Sequence, residues 1–288
     1  MKSKTPETAI LLLSCPDQKG IVAEISSFIY QYSGNIVHSD QHTDYESNTF
    51  FMRIEWELTG FQIPREKIGE AFSFIANKFK MNWELKFSTH IPKTVIMVSK
   101  MDHCLYDILL KAASGDLKVS IAMIVSNHTD LKPIAEYFKI PFYYFETNPA
   151  NKSEVEEKEL ALFQENGIEL IILARYMQIL SQKIISSYQN RIINIHHSFL
   201  PAFIGAKPYH QAYTRGVKLI GATSHYVTED LDNGPIIEQD VTRISHRDIV
   251  EDLIRKGKEL EKLVLSRAIK IHLENKTLIF GNKTIVFD

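Results

Sequence analysis

Only two cysteines occur in the 288 residues, Cys15 and Cys104. They stand far apart without the short spacing of a zinc site, which argues against a disulfide framework and a cysteine-built metal centre. Each reads as a small buried hydrophobe. An excess of charge of one sign is also lacking: 33 Lys and Arg against 35 Asp and Glu leave a formal net charge of −2. Nothing global therefore draws the chain to nucleic acid or to an anionic membrane. No apolar stretch is long enough to span a bilayer, and the opening Met1-Lys-Ser-Lys-Thr-Pro-Glu-Thr8 has no apolar core of a signal peptide, so the expectation is a cytoplasmic protein. Internal repeats and low-complexity segments are missing too. What remains is an ordinary globular composition, 44% hydrophobic and 24% charged, in a length that favours two domains of unequal size.

The first of these spans residues 1–88. Ala9 to Ser14 reads as a strand and Cys15-Pro-Asp-Gln-Lys-Gly20 as a loop. From Ile21 the apolar positions Ile21, Ile25, Phe28, Ile29 and Tyr32 recur at helical spacing up to a stop at Gly34. A polar stretch from Asn35 to Asp40 precedes Thr49 to Trp56, where Phe51, Arg53 and Glu55 alternate imperfectly. A second amphipathic helix, Pro64 to Lys80, and a strand, Trp83 to Phe87, complete the order strand, helix, strand, strand, helix, strand.

That ferredoxin-like order, with its Pro-Asp-Gln-Lys-Gly loop, resembles an ACT domain over about residues 7–88. The resemblance implies either a small amino-acid effector, glycine or methionine, or a module for assembly alone. The effector residues it implies are Asp17, Gly20, Ile21 and Asn35. Paired ACT-like sheets and the isologous habit of homo-oligomers point to a homodimer or homotetramer.

Residues 89–93 read as a linker, and 94–288 as the second domain. Strands at 94–99, 118–125 and 142–145 alternate with helices near 105–113 and 131–138. A polar helix at 154–166, with Leu160 and Phe163 inward, leads to the apolar run Gly167 to Ala174. Such alternation argues for a doubly wound, mostly parallel sheet, making the whole chain α/β with an α+β domain in front. A helix at 249–273 and a hairpin of 277–280 with 284–287 close the chain. Arg191 to Ile195 is a further short, β-branched strand, and polar residues directly after buried parallel strands sit where open α/β sheets place their ligands. Asn194 and His196, two apart, project from one side of an extended chain, and His197 from the other.

Asn194-Ile-His-His-Ser-Phe-Leu-Pro-Ala-Phe203, Gly221-Ala-Thr-Ser-His225 and Glu229-Asp-Leu-Asp-Asn-Gly-Pro-Ile-Ile237 resemble the formyltransferase fold that uses 10-formyltetrahydrofolate. The resemblance implies Asn194, His196 and Asp232 as the catalytic trio, and the chemistry suits them. Taking a formyl group from nitrogen passes through a tetrahedral oxyanion, which Asn194 and His196 can meet with donors while Asp232 holds the imidazole or takes a proton. No metal is required. His225 either completes this network or is a satisfied core histidine; it is assigned an auxiliary role, with His197. The resemblance places folate against Arg175, Tyr176, Met177, Gln178 and Ile179 and the loop Val227, Thr228, Glu229, Asp230 and Leu231, although Met177 and Ile179 equally suit an ordinary core. Gln178 stands where the transformylases carry Arg, which leaves the anchor of the folate tail open.

Three features depart from the transferases. Val98-Ser-Lys-Met-Asp-His-Cys-Leu105 has no glycine where a Gly-rich phosphate loop is expected. His197 replaces a common Pro, and an ACT-like domain is fused in front. Together they resemble the formyltetrahydrofolate deformylase family, hydrolases that pass the formyl group to water. This implies 10-formyltetrahydrofolate as substrate, no permanently bound cofactor, no metal, and neither nucleic acid nor membrane as partner. Transfer to an amine acceptor is the alternative.

Overall fold

The computed structural model describes residues 6–202 and 208–288; Phe203, which closes the Asn194 motif, lies outside the described residues. The chain divides into two compact units. One comprises the residues up to His90 together with 274–278 and 285–288, the other residues 91–273 and 279–284.

In the first unit the order is β1 (Thr8–Pro16), α1 (Ile21–Gln31), β2 (Asn35–Asp44), β3 (Thr49–Glu57), α2 (Ile68–Phe79) and β4 (Asn82–Phe87). The strands form an antiparallel sheet in the order β2-β3-β1-β4. Ile21, Ile25, Phe28 and Ile29 from α1 and Ile68, Phe72, Ile75 and Phe79 from α2 lie one helical turn apart, so each helix presents one apolar stripe. Both stripes share a core with Leu11, Leu13, Met52, Ile54 and Trp56 from alternate positions of β1 and β3. The imperfect alternation of β3 has a cause on its other face. Arg53 is buried there, donating from Nε to the Asn275 carbonyl at 2.9 Å and from Nη2 to the Glu274 carbonyl at 3.3 Å and to Glu55 Oε2 at 2.8 Å. A guanidinium satisfied by two backbone carbonyls and a carboxylate can be buried without the usual cost.

The second unit runs β5 (Lys93–Val98), α3 (His103–Ser114), β6 (Ser120–Ser126), α4 (Lys132–Tyr137), β7 (Phe142–Tyr144), α5 (Lys152–Glu165), β8 (Leu170–Leu173), α6 (Gln182–Ser187), β9 (Ile192–His196), α7 (Pro208–Arg215), β10 (Leu219–Tyr226), β11 (Ile236–Arg243) and α8 (Val250–Leu273). A hairpin of β12 (Thr277–Phe280) and β13 (Lys283–Val286) follows. The seven-stranded sheet has the order β11-β10-β9-β8-β5-β6-β7. From β9 to β7 it is parallel, and β10 and β11 add an antiparallel edge. Alternation along β5 shows that both faces are covered: Ile96 and Val98 join a core with α3 and α8, whereas Val95 and Met97 join Leu160, Phe163, Ile184 and Ile185 on the opposite side.

Strand order reverses at β5, which has β6 on one side and β8 on the other. The crevice at the carboxyl ends of such strands is where a doubly wound sheet receives its ligand. Ser99, just past β5 and buried, ties this edge together by donating to Asn127 Oδ1 at 2.7 Å and accepting from Met177 N at 3.0 Å. The sequence reading lacks β10 and β11, whose Thr-Ser-His and Glu-Gln-Asp segments hide the strand pattern. Both cysteines are buried and free, and no helix among the described residues is long and apolar enough to cross a membrane.

Helix α5 is less polar in its role than in its composition. Beside Leu160 and Phe163 it buries Glu156 and Glu159. Burial, reinforced by the Glu156 charge, pushes the Glu159 carboxyl up to about 8. A raised folded value favours the protonated form, so this group costs stability progressively as pH rises from its ordinary range through about 8. Glu159→Gln should therefore raise the thermal unfolding midpoint by roughly a few degrees at pH 8 and leave it nearly unchanged at pH 5, as followed by circular dichroism.

Candidate active site

The register of one strand pair assembles the first polar groups. On β9 the alternation that sends Ile193 and Ile195 into the core leaves Asn194 and His196 on the opposite side. Antiparallel pairing with β10 then sets His225 opposite Asn194. Asn194 Nδ2 lies 3.2 Å from His225 Nε2. At 2.9 Å from His225 Nδ1 is the Tyr226 carbonyl, which can only accept, so Nδ1 carries a proton and Nε2 is left to face Asn194.

Asp232 arrives from the loop between β10 and β11. Its Oδ2 is 3.2 Å from His196 Nδ1 and its Oδ1 is 3.7 Å from His225 Nε2. The hydrogen bond from His196, with the His225 imidazole close by, outweighs partial burial and holds this carboxyl well below the usual carboxylate range. The aspartate is thus ionised wherever the protein is folded near neutrality, and His196 Nδ1 is fixed as a donor. Asp232 has φ +54, a left-handed conformation that Asp, Asn and Gly tolerate best. Two residues on, a Cβ at Gly234 would run into the Tyr226 carbonyl. The loop can close on β10 only because that position is bare.

His197 departs from the expected alternation. Strand β9 ends at His196, the chain turns, and His197 faces the same cavity as His196, with ring centroids 5.3 Å apart. Burial, aided by the charge of Arg175, lowers His197 to about 4, so its ring is neutral at pH 7.

All the residues assigned to folate line one cavity of about 610 Å³ together with Asn194, His196, His225 and Asp232. Met177 and Ile179 are not core: they are 59% and 60% exposed and, with Leu231 at 60%, offer apolar surface around the cavity. Tyr176 is different, its side chain buried in the α5 core. Gln182 Nε2 donates to Glu229 Oε1 at 2.8 Å and joins α6 to the loop over this part of the cavity.

The four effector residues are not brought together. Asp17, Gly20 and Ile21 form the turn from β1 into α1, where Gly20 has φ +95. Asn35 pairs opposite Glu57, whereas the β1 end that leads to Asp17 pairs at Thr49. Eight residues of strand separate the two positions, roughly 26 Å. The β2 register therefore removes Asn35 from any pocket at that loop within one chain.

A second polar group in the cavity wall escaped the sequence reading. Glu261 on α8 is 1% exposed, accepting from Tyr209 at Oε1 (2.5 Å) and paired at Oε2 with His103 Nε2 (2.7 Å) and Arg175 Nε (3.5 Å). Burial opposes its charge, but the His103 hydrogen bond, the Arg175 guanidinium and the Tyr209 hydrogen bond overcome it and hold the carboxyl below its usual range. The signal for it lay in the helix period: Glu261 falls on the stripe of Gly257, Leu260, Val264 and Leu265, where a charge needs a partner. Gly257 is also required, because a Cβ there would collide with the Tyr209 ring. His103, Cys104 and Glu261 have ligand-type atoms within 4.8 Å of one another. Burial and the Glu261 charge keep the Cys104 thiol protonated, far above its ordinary range, and both Glu261 oxygens are engaged. The cluster is wired as a hydrogen-bond network and not as a thiolate ligand set.

Comparison with known proteins shows the family of the chain. A formyl transferase family model matches residues 92–269 and an ACT domain model residues 9–76. The chain is 53% identical over 280 residues to a formyltetrahydrofolate deformylase of Synechocystis, covering 97% of this chain and 98% of that one. It is 49% identical over 279 residues to one of Bacillus subtilis, covering 96% and 93%. The crystal structure of a formyltetrahydrofolate deformylase from Pseudomonas syringae pv. tomato superposes with a TM-score of 0.97 at 44% identity, over 100% of this chain and 96% of that one.

Two outcomes follow from the geometry. Imidazole NMR should show His197 titrating near 4; because the folded value is depressed, its contribution to stability is complete above the ordinary histidine range and is lost as pH falls towards that value. Gly234→Ala should fold but displace Asp232, lowering turnover at least about 100-fold, the scale of losing one acid-base group.

Proposed function

Because the chain belongs to the formyltetrahydrofolate deformylase family, we propose that it hydrolyses 10-formyltetrahydrofolate to formate and tetrahydrofolate with Asn194, His196 and Asp232 as its catalytic residues. The observation that carries the assignment of residues is the convergence of an amide, two imidazoles and an ionised carboxylate within 3.7 Å steps beside one cavity of about 610 Å³.

In this reading folate lies against Met177, Gln178, Ile179 and the loop Val227 to Leu231, which bring apolar surface and backbone polar groups to one cavity. Water near Asp232 attacks the formyl carbon. The Asn194 amide and His196 donate to the oxyanion as the carbonyl becomes tetrahedral, and the charge of Asp232 stabilises the imidazolium that a proton-carrying His196 becomes. Collapse breaks the carbon–nitrogen bond, a proton reaches the departing folate nitrogen, and formate leaves. His225 is a positioning residue: its Nε2 orients the Asn194 amide while its other nitrogen is occupied by the Tyr226 carbonyl. Water, the substrate and these side chains balance the reaction, which needs no metal. The ACT domain supports an amino-acid effector, glycine or methionine, at the Asp17 to Ile21 turn, and a cytoplasmic homo-oligomer paired through that domain fits the same reading.

Turnover of 10-formyltetrahydrofolate in buffer free of amines tests the reaction: formate and tetrahydrofolate should appear in equal amounts. Asp232→Asn is the matching test of the site, since Asn accepts the left-handed backbone at this position. It should lower kcat by about 100-fold to 10,000-fold and leave the folate dissociation constant within about threefold. Unimpaired turnover in this variant would remove Asp232 from the mechanism.

A further inference from the structure

Water is not the only nucleophile able to attack an activated formyl group, and a primary amine is the stronger one. A hydrolase built on a formyl transferase fold must therefore turn amines away. The cavity contains a device for this in the wall formed by β8, α7 and α8.

Arg175 directly follows β8 and lines the cavity with Asn194, His196 and His197. It has φ +64, a conformation that costs an arginine roughly 1 kcal/mol relative to glycine. Its side chain is only 11% exposed, and Nε and Nη1 have no hydrogen-bond partner among the described residues. Strain and incomplete pairing at one residue beside a reacting centre mark a position held for function. What holds it is Glu261, 3.5 Å from Nε, which is fixed in turn by His103 and Tyr209.

The consequence for an amine is a matter of charge and room. An acceptor arriving as an ammonium needs a carboxylate to receive it and a base to deprotonate it. On this wall the carboxylate is Glu261, and both its oxygens are engaged. What the wall presents instead is the Arg175 guanidinium and Lys258, which also lines the cavity and has no carboxylate partner among the described residues. The guanidinium thus fills room on this wall and engages the carboxylate that would otherwise receive an ammonium there. Water is neutral and small and pays neither penalty.

We propose that Arg175, held by Glu261 in the wall of the catalytic cavity, determines acceptor specificity by occupying the space an amine would need and engaging the carboxylate that would receive it, so that the formyl group passes to water alone. This rests on the hydrolase reading above. In the excluded reaction the amine nitrogen bonds to the formyl carbon, the bond from that carbon to the folate nitrogen breaks, and the proton lost by the amine goes to the folate nitrogen. In the permitted one water supplies the new oxygen–carbon bond, and the folate nitrogen is protonated in the same way.

The test is a partition experiment on the full chain, giving 10-formyltetrahydrofolate with increasing glycinamide and following formate, tetrahydrofolate and N-formylglycinamide together against an enzyme-free control. The wild-type protein should release formate equal to tetrahydrofolate at every glycinamide concentration. Arg175→Gly, which suits the left-handed backbone, should divert product so that N-formylglycinamide rises at least about 10-fold over wild type while formate falls by the same molar amount. The double variant Arg175→Gly, Glu261→Gln removes the carboxylate charge left behind and decides the matter if the single variant does not fold. A loss of packing alone would slow both products together and leave their ratio unmoved. Tetrahydrofolate release with an unchanged ratio in the variants overturns the proposal, as does a complete loss of turnover in both, which would make Arg175 part of the chemistry. Failure of the hydrolase reading looks different, because it shows in the wild type: no formate without amine, or N-formylglycinamide formed as readily as in the variants.

Discussion

A carboxylate kept ionised between two imidazoles is the constraint from which the rest of the site follows. Asp232 in that state fixes His196 as a donor from Nδ1, and it reaches this place only through a left-handed residue in a loop that closes on a bare glycine. The loop depends on β10, β10 on its pairing with β9, and β9 on the parallel sheet whose carboxyl edge opens the cavity. A surface aspartate would supply the same charge without the orientation, and general acid-base catalysis depends on orientation as much as on proton affinity.

Asp232 and Glu261 show two uses of the same functional group. Both are held ionised against burial by histidine hydrogen bonds. Asp232 retains 14% side-chain exposure and shares the cavity with Asn194, whereas Glu261 is 1% exposed and saturated by Tyr209, His103 and Arg175. The first can exchange charge with a reacting molecule. The second shapes the wall that the molecule meets.

Much of this was legible in the sequence because the informative residues break local rules. Asn194 and His196 interrupt a β-branched run, and Asp232-Asn-Gly234 is too specific to be only a turn once it stands beside them; both readings concern short-range pattern, which the chain displays directly. The β10 and β11 strands were hidden, since Thr223, Ser224 and His225 interrupt the apolar pattern of β10, and β11 carries Glu238, Gln239 and Asp240 behind one buried residue, Ile237. Glu261, and its pairing with Arg175, was hidden because a buried charge makes sense only when its counter-charge is seen. Asn35 was assigned with the Asp17 turn through the ACT resemblance, and the antiparallel register sets it at the far end of the sheet within one chain.

The antiparallel pairing of β9 with β10 ties assembly of the proposed site to the order of folding. Five parallel strands can form a sheet with both faces covered before β10 docks, and a partly folded chain of that kind would have native-like secondary structure throughout its centre. It would nonetheless have no site, because His225 and the loop bearing Asp232 arrive with β10, and a slip of one residue in its register turns His225 to the wrong face. Strand pairings distant in sequence are among the slower events of folding. Recovery of activity is thus a clock for the docking of that strand, and a protein judged folded by its helices alone could still be catalytically blank.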